Sequence, residues 1–563
     1  MKKVIALLIT AVMLFGAAAC ETAPTREASG DAGRALADKH GLPYSGMEDM
    51  DPIEFTVWIR NPNTPPRADN PILDIIEQIT NVKINFQFLV GEFEQVTSVM
   101  LASGDWADAA FLGADGDFFL TSGQVLPLQD LIEEHAPNLR AHYDPWWNLM
   151  HYEDGNLYIA EIYGTQTNDW IEMEHWQTAF WLQKDVVDHF GRAPKDLDEY
   201  FDFIREYMAL HPTIDGVPTM GFEILTEDWR RFCIDNPPMF LAGYPNWGTA
   251  LANEETNTAY CRWTQPWTKD YYKKLNEEFH NGLINAETLT LTYDQYIARI
   301  ASGAVLGIFD QRWNFNPGQL PLIAEGRFER TYLPFDLTNE GVAPRYTEGR
   351  PFTGNNGLVV NVTNPDPVRF VMYMDYIVRE EVQRFLEWGI EGEHWFYNEN
   401  GRMERPDEQR DLQRDQRWQV DNLGYMLRQY MPKMEGTYSC GNSTTANNQP
   451  EEYFASLTGY DRDLFERLGI QMESGFMSPA VPVPVYFPFW SMTLEDGSPP
   501  HIVDQRIEDV NVRMLPRLVV APEGEFDAIW DEYQAALLAL DRDALIEEIN
   551  RQIQVRLSAF GSN

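Results

Sequence analysis

Two rhythms of apolar positions run through the first hundred residues. Glu54-Phe-Thr-Val-Trp-Ile-Arg60 is rich in β-branched and aromatic residues and ends at Asn61-Pro-Asn-Thr-Pro-Pro66. This pattern predicts a strand closed by a sharp turn. Asn70-Pro71 then opens a segment with Ile72, Ile75, Ile76 and Ile79 on one helical face. Val82 to Leu89 reads as a second strand, Phe93 to Leu101 as a helix, and Ala109 to Leu112 as a third strand. Strand, helix, strand, helix, strand implies a parallel α/β sheet, whose ligands sit at the carboxyl ends of the strands. The turns after Ile59 and after the helix at Leu101 are therefore candidate site loops.

The pattern continues with a strand around Gly155–Ala160 and an aromatic passage from Tyr163 to Trp181. A helix runs through Phe190. Asp196 with Glu199 three residues on forms an Asp version of a capping box. It opens a helix with Leu197, Phe201, Ile204 and Met208 on one stripe. Residues 211–268 are rich in Pro, Gly, Asn and Trp and read as loops, where sites often lie. Helices are expected over Trp267–Phe279 and Tyr293–Ile300, and short strands over Ala304–Phe309 and Leu358–Val362. A further helix is expected from Asn364-Pro365. Two apolar stripes follow near the end, Phe526 to Leu540 and Leu545 to Leu557.

Composition changes the picture at one end. Lys2 and Lys3 precede an apolar run from Val4 to Phe15, then Gly16, three alanines and Cys20. The run is shorter than the ~20 residues a membrane span needs, and reads as a processing signal over residues 1–19. Cys20 after the alanines resembles the lipobox of bacterial lipoproteins, which implies lipidation at Cys20. Ala17 stands where that motif most often has Leu. Residues 20–50 read as a polar, lipid-anchored tether. The chain of 563 residues carries a net charge of -44, which excludes a general nucleic-acid binder and a surface that docks on anionic lipid. Past Cys20 only Cys233, Cys261 and Cys440 remain. Spacing alone leaves a Cys233–Cys261 pair open.

Candidate chemistry is narrowed by absence. The sequence holds no phosphate-cradling Gly-x-x-x-x-Gly-Lys-[Ser/Thr], no Gly-x-Ser-x-Gly elbow and no His-Glu-x-x-His. With 87 Asp and Glu, some pair always has glycosidase-like spacing, so spacing alone assigns nothing. Asp115-Gly116-Asp117 lacks the calcium-loop pattern and reads as a turn. No metal site, cofactor or catalytic residue is assigned.

Several ordered segments resemble the extracellular solute-binding lipoproteins of bacterial ABC carbohydrate importers. They are Leu101-Ala-Ser-Gly-Asp-Trp-Ala-Asp108, Asp154-Gly-Asn-Leu-Tyr158, Trp181-Leu-Gln-Lys-Asp185 with Pro194–Tyr200, Phe279-His-Asn-Gly-Leu-Ile-Asn285, and Phe385-Leu-Glu-Trp-Gly-Ile-Glu-Gly392 with Tyr397–Gly401. The resemblance spans roughly residues 50 to 560. Trp106-Ala107 and Gln183 depart from the family pattern. The calcium-loop insertion of some relatives is missing.

The resemblance implies a bilobed α/β periplasmic-binding-protein-like fold, with a hinge and an interlobe ligand cleft. It also implies a non-enzymatic monomer held to the outer face of the bacterial cell membrane by its lipid, which delivers a solute to ABC permease subunits. A neutral oligosaccharide is the expected solute. A secreted glycoside hydrolase and an oligopeptide-binding protein are the alternatives. Lobe 1 is expected over residues 51–165 and lobe 2 over 166–290. Residues 291–355 would return to lobe 1 and the hinge, and residues 356–563 would complete lobe 2.

Sugars offer C–H faces to aromatic rings and hydroxyls to planar polar groups. The expected ligand-binding residues pair the two kinds of group in loops: Trp58, Arg60, Asp105, Trp106, Tyr163, Trp170, Trp229, Trp247, Trp313, Asn355 and Asn356. Trp247, between Pro245-Asn246 and Gly248, is the leading loop candidate. Trp388 and Trp530, on helical stripes, are assigned to the core.

Overall fold

The computed structural model describes residues 30–560 apart from 62, 114–116, 153, 166–169, 350, 351, 353 and 355. The processing signal, Cys20 and Asn355 lie outside the described residues. Nine strands build the two main sheets: β1 (Ile53–Ile59), β2 (Val82–Phe88), β3 (Ala109–Phe111), β4 (Ala160–Glu161), β5 (Thr178–Gln183), β6 (Met220–Glu223), β7 (Val305–Gln311), β8 (Tyr332–Phe335) and β9 (Gly357–Val360).

The lobe 1 sheet has the order β2-β1-β3-β9-β4. β2 and β3 lie parallel to β1, as the strand–helix alternation predicts, and β9 runs antiparallel to both β3 and β4. The lobe 2 sheet has the order β8-β5-β7-β6, with β6 parallel to β7 and β5 antiparallel to β7 and β8. Both sheets are covered on both faces. Phe55, Val57 and Ile59 enter one lobe 1 core while Trp58 enters the other. Phe180 and Leu182 enter one lobe 2 core while Ala179 and Trp181 enter the other. Such strands read as unbroken apolar runs.

Two segment assignments are corrected by this topology. β7 and β8 lie in the lobe 2 sheet, so residues 291–335 do not return to lobe 1. β9 lies in the lobe 1 sheet, and residues through Met431 join its core. Lobe 1 therefore takes residues 356 to about 431 rather than lobe 2, which resumes with Tyr453 and runs through the C-terminal helices. Short apolar strands carry no mark of the sheet they join, because that choice is made by tertiary pairing.

The tether is also shorter than expected. Gly30–His40 forms a helix, α1, against α2 (Pro71–Thr80), and Ala37, Leu42 and Met47 are buried in the lobe 1 core. Its interface is made of small residues: a Cβ on Gly33 would lie 2.7 Å from the Gln78 carbonyl oxygen. Small residues that permit close approach lack the apolar signal that marks a helix. The helix α3 (Phe93–Ser103) completes the first parallel unit. The strand expected at Gly155–Ala160 shrinks to β4. Trp388 and Trp530 are buried, as assigned, and Cys233, Cys261 and Cys440 are free thiols.

Candidate functional site: the facing strand edges

Chain direction locates the cleft. The segment 162–177 leaves the carboxyl end of β4 in lobe 1 and enters the amino end of β5 in lobe 2. Because β5 is antiparallel to β7, this is also the carboxyl edge of β6, β7 and β8. The segment 336–356 returns from the carboxyl end of β8 to β9, at the carboxyl edge of β1 and β3. Both crossings therefore tie one carboxyl edge to the other, and the space between these edges is the candidate site. A Cβ on Gly357, where β9 meets β4, would lie 2.1 Å from the Ala160 carbonyl oxygen, so this crossing needs a residue without a side chain.

On the lobe 1 edge stand Arg60, Asn356 and Tyr163. The Arg60 guanidinium carbon lies 4.7 Å from the Phe93 ring centroid. Asn356 donates its backbone N–H to Glu161 Oε2 at 3.0 Å. The Tyr163 hydroxyl donates to the Gln429 carbonyl at 3.2 Å, and Lys433 Nζ sits 3.7 Å from the centroid of its ring. Gly164 N–H donates to Glu435 Oε2 at 3.1 Å. Burial pushes the Tyr163 phenol well above its ordinary pKa, so it stays a neutral donor. Gln429, Lys433 and Glu435 escape sequence reasoning because their partner is some 270 residues away, with no local pattern to announce them.

Four expected residues leave the site. Asp105 and Trp106 precede β3, and the register pairs Ala109 with Val57. They therefore lie at the amino edge of the sheet, across from Arg60. Trp106 is buried, donates to Gln124 Oε1 at 3.0 Å and meets Phe119 edge-on. Trp58 is buried against Phe93. Trp247 is fully buried, 4.6 Å from Phe489 and 4.8 Å from Phe487 between ring centroids. The Pro and Gly around it do mark a loop, but residues 486–490 cover that loop. The Trp247 carbonyl accepts from Phe489 N at 2.9 Å.

The lobe 2 edge is different. Trp229 follows β6, and Trp313 sits in the first turn of a helix after β7. Their rings lie parallel, 5.7 Å apart and 14° from coplanar. Trp229 is 54% exposed and Trp313 43%. Two stacked indoles left open to solvent on one edge form an apolar platform of the kind that marks a binding surface. The Arg230 guanidinium lies 4.6 Å from the Trp229 ring and 4.1 Å from Tyr293. Trp170 is partly buried in the crossing segment that leads to β5. Deeper on this edge, Arg312 pairs with Glu473 at 2.5 Å and stands 5.3 Å from the Trp176 ring. Burial raises the Glu348 carboxyl to about 7, although Asn246 N–H donates to it at 2.6 Å.

Two crossed α/β lobes with facing carboxyl edges define the bilobed fold of the solute-binding proteins. The same fold is seen in the alginate-binding protein AlgQ2 solved without calcium ion, with a TM-score of 0.60 and 16% identity over 89% of this chain and 98% of that one. A human-milk-oligosaccharide (HMO) binding, ABC-transporter-associated solute-binding protein from Bifidobacterium longum infantis gives 0.59 and 16% over 90% and 99%. Streptococcus pneumoniae FusA, an EF-hand mutant in complex with fructo-nystose, gives 0.59 and 18% over 90% and 100%. In sequence, the fructooligosaccharide ABC transporter substrate-binding protein FusA of S. pneumoniae serotype 4 is 27% identical over 158 residues, 26% of this chain and 28% of that protein. The sequence match thus spans little more than a quarter of that relative. No family model matches the chain.

Proposed function

We propose that the protein is the substrate-binding component of an ABC importer, that it captures an oligosaccharide in its interlobe cleft, and that it hands this solute to a membrane permease. The observation that carries the reading is the exposed, parallel Trp229–Trp313 pair at the edge that faces lobe 1. Sugar rings stack on such a surface through their C–H faces, and closure of the lobes dehydrates the contact. Arg60, Tyr163 and Asn356 face the same space from lobe 1, and Trp170 stands in the crossing. The fold relatives described above include binders of fructooligosaccharides and milk oligosaccharides, which supports a glycan over a peptide. A neutral glycan suits the overall charge of -44. The chain acts outside the cytoplasm as a monomer, held by lipid at Cys20, and performs no catalysis.

The test is incubation with a library of neutral oligosaccharides, followed by thermal unfolding and product analysis. Binding raises the unfolding temperature with ligand excess, and the glycan is recovered intact. Cleaved products, or stabilisation by peptides alone, would contradict the reading.

A further inference from the structure

A chain of buried polar contacts runs beneath the indole platform. Asp310, the penultimate residue of β7, is fully buried. Its Oδ1 accepts from Gln311 N at 2.6 Å and its Oδ2 from the Tyr296 hydroxyl at 2.8 Å. Asn314 Nδ2 donates to both carboxylate oxygens, at 3.0 and 3.1 Å. The Cys233 thiol is a further donor.

This crowd of donors fixes the Asn314 amide. With its NH2 group committed to the carboxylate, its Oδ1 points the other way and accepts from Arg230 Nε at 3.2 Å. The Asn314 backbone carbonyl accepts from the Tyr293 hydroxyl at 2.7 Å. One residue therefore holds both the guanidinium between Trp229 and Tyr293 and the ring on its far side. Trp313 precedes Asn314 in the same turn.

We infer that Asp310 is a positioning residue for ligand binding: through Asn314 it sets Arg230 in its slot and so fixes the Trp229–Trp313 platform. The inference rests on that pair being the ligand surface. A carboxylate is the acceptor-only side chain that satisfies four donors at once. Once protonated, Asp310 presents a donor of its own and gives up one of its acceptor sites, so the Asn314 amide that holds Arg230 is less firmly fixed.

Burial raises the Asp310 pKa to about 6, so this change falls within an accessible pH range. Among the surrounding groups, burial also raises the Glu223 carboxyl on β6. Burial holds Cys233, Tyr296 and Tyr293 above their ordinary pKa values. Asp235, near Cys233, is paired with Arg231 at 2.7 Å, and Glu223 on β6 with Arg299 at 2.9 Å. His175 tilts over Trp181 on β5 and has its own partners, Glu172 at 3.3 Å and the Thr178 carbonyl at 3.0 Å. A His175→Gln variant serves as a control for this neighbouring ring.

The experiment has two arms. In the ligand-free arm, the full chain carries 5-fluorotryptophan, and the Trp229 and Trp313 fluorine resonances are assigned by W229F and W313F. Both should shift between pH 7.5 and 5.0 with a midpoint near 6, and Arg230→Gln should abolish that shift. Resonances that ignore pH, or that titrate unchanged in R230Q and in Asn314→Leu, would overturn the inference.

In the second arm, nystose, maltotetraose and cellotetraose are titrated at both pH values. Affinity should fall by about tenfold at the lower pH, the worth of roughly one hydrogen bond to a charged group, and should be weak and flat in R230Q. Affinity that is unchanged by pH would overturn the inference. If none of the three sugars binds at either pH, the oligosaccharide reading fails, and the fluorine arm still decides the network. R230Q changes a partly exposed residue, so the result does not depend on a core variant folding.

Discussion

The two edges of the cleft use tryptophan in opposite ways. Near the lobe 1 edge, Trp58 is turned into the core and the open edge carries Arg60, Tyr163 and Asn356, with partners from distant segments. On the lobe 2 edge, Trp229 and Trp313 are stacked on each other and left exposed. An exposed indole pair forfeits burial that elsewhere stabilises the fold, at ~25 cal/mol per Å2 of apolar surface. Lobe 1 therefore offers hydrogen bonds and lobe 2 offers a ring surface. A closing cleft brings complementary halves together.

The comparison is sharpened by removing rings that only look alike. Trp247 is an indole of lobe 2 with no part in the platform. Trp247→Ala should cost about 3–5 kcal/mol of stability, as a large core truncation does, and leave affinity per folded molecule unchanged. Denaturant melts beside calorimetric titration would show both. A loss of affinity without a loss of stability would move Trp247 back into the site.

The second prediction concerns pH. The Glu348 carboxyl, in the crossing between β8 and β9, titrates near 7 instead of its ordinary 4.5. A carboxyl whose folded pKa is raised binds its proton more tightly in the folded state. Its contribution to stability is fully present below the unfolded value and is lost as pH rises through the folded one. Glu348→Gln keeps the neutral form at all pH values. It should stabilise the protein at pH 8 by on the order of 2–3 kcal/mol relative to wild type, with little effect at pH 4. Melting temperatures across that range test it. An equal effect at both ends would contradict the burial argument.

The smallest effect is expected at Asp105. It lies on the far edge of the lobe 1 sheet, so Asp105→Ala should leave affinity within about twofold of wild type and stability within ~0.5 kcal/mol. A large loss of binding would break the assignment of the cleft to the carboxyl edges.

The legible part of this architecture was its local part. The apolar stripe Ile72–Ile79 and the flanking strands announced a parallel unit, and β1, β2 and β3 pair as that unit requires. The membership of later segments was not legible, because β7, β8 and β9 are short apolar runs that fit either sheet. A helix with Pro317 and Pro321 inside it escaped as well, and with it the fact that Trp313 sits in a first helical turn. Among the candidate residues, loop position was a poor guide to exposure. Trp229 and Trp247 both lie in the same Pro- and Gly-rich stretch, yet one is open and the other is sealed by residues 486–490. Exposure there depends on a segment some 240 residues away. The Asp105 motif misled for a different reason: it marks the turn into β3, and the edge of the candidate cleft is where β3 ends.

On the proposed function, the Trp229–Trp313 platform carries the solute. Isothermal titration of W229A and W313A with the tightest-binding oligosaccharide of the library, beside Tyr163→Phe, tests it directly. Each tryptophan variant should lose about 2 kcal/mol, roughly thirtyfold in affinity, as a central aromatic anchor does, while Y163F loses less than about 1 kcal/mol. Folded W229A and W313A that bind the sugar as tightly as wild type would contradict the account.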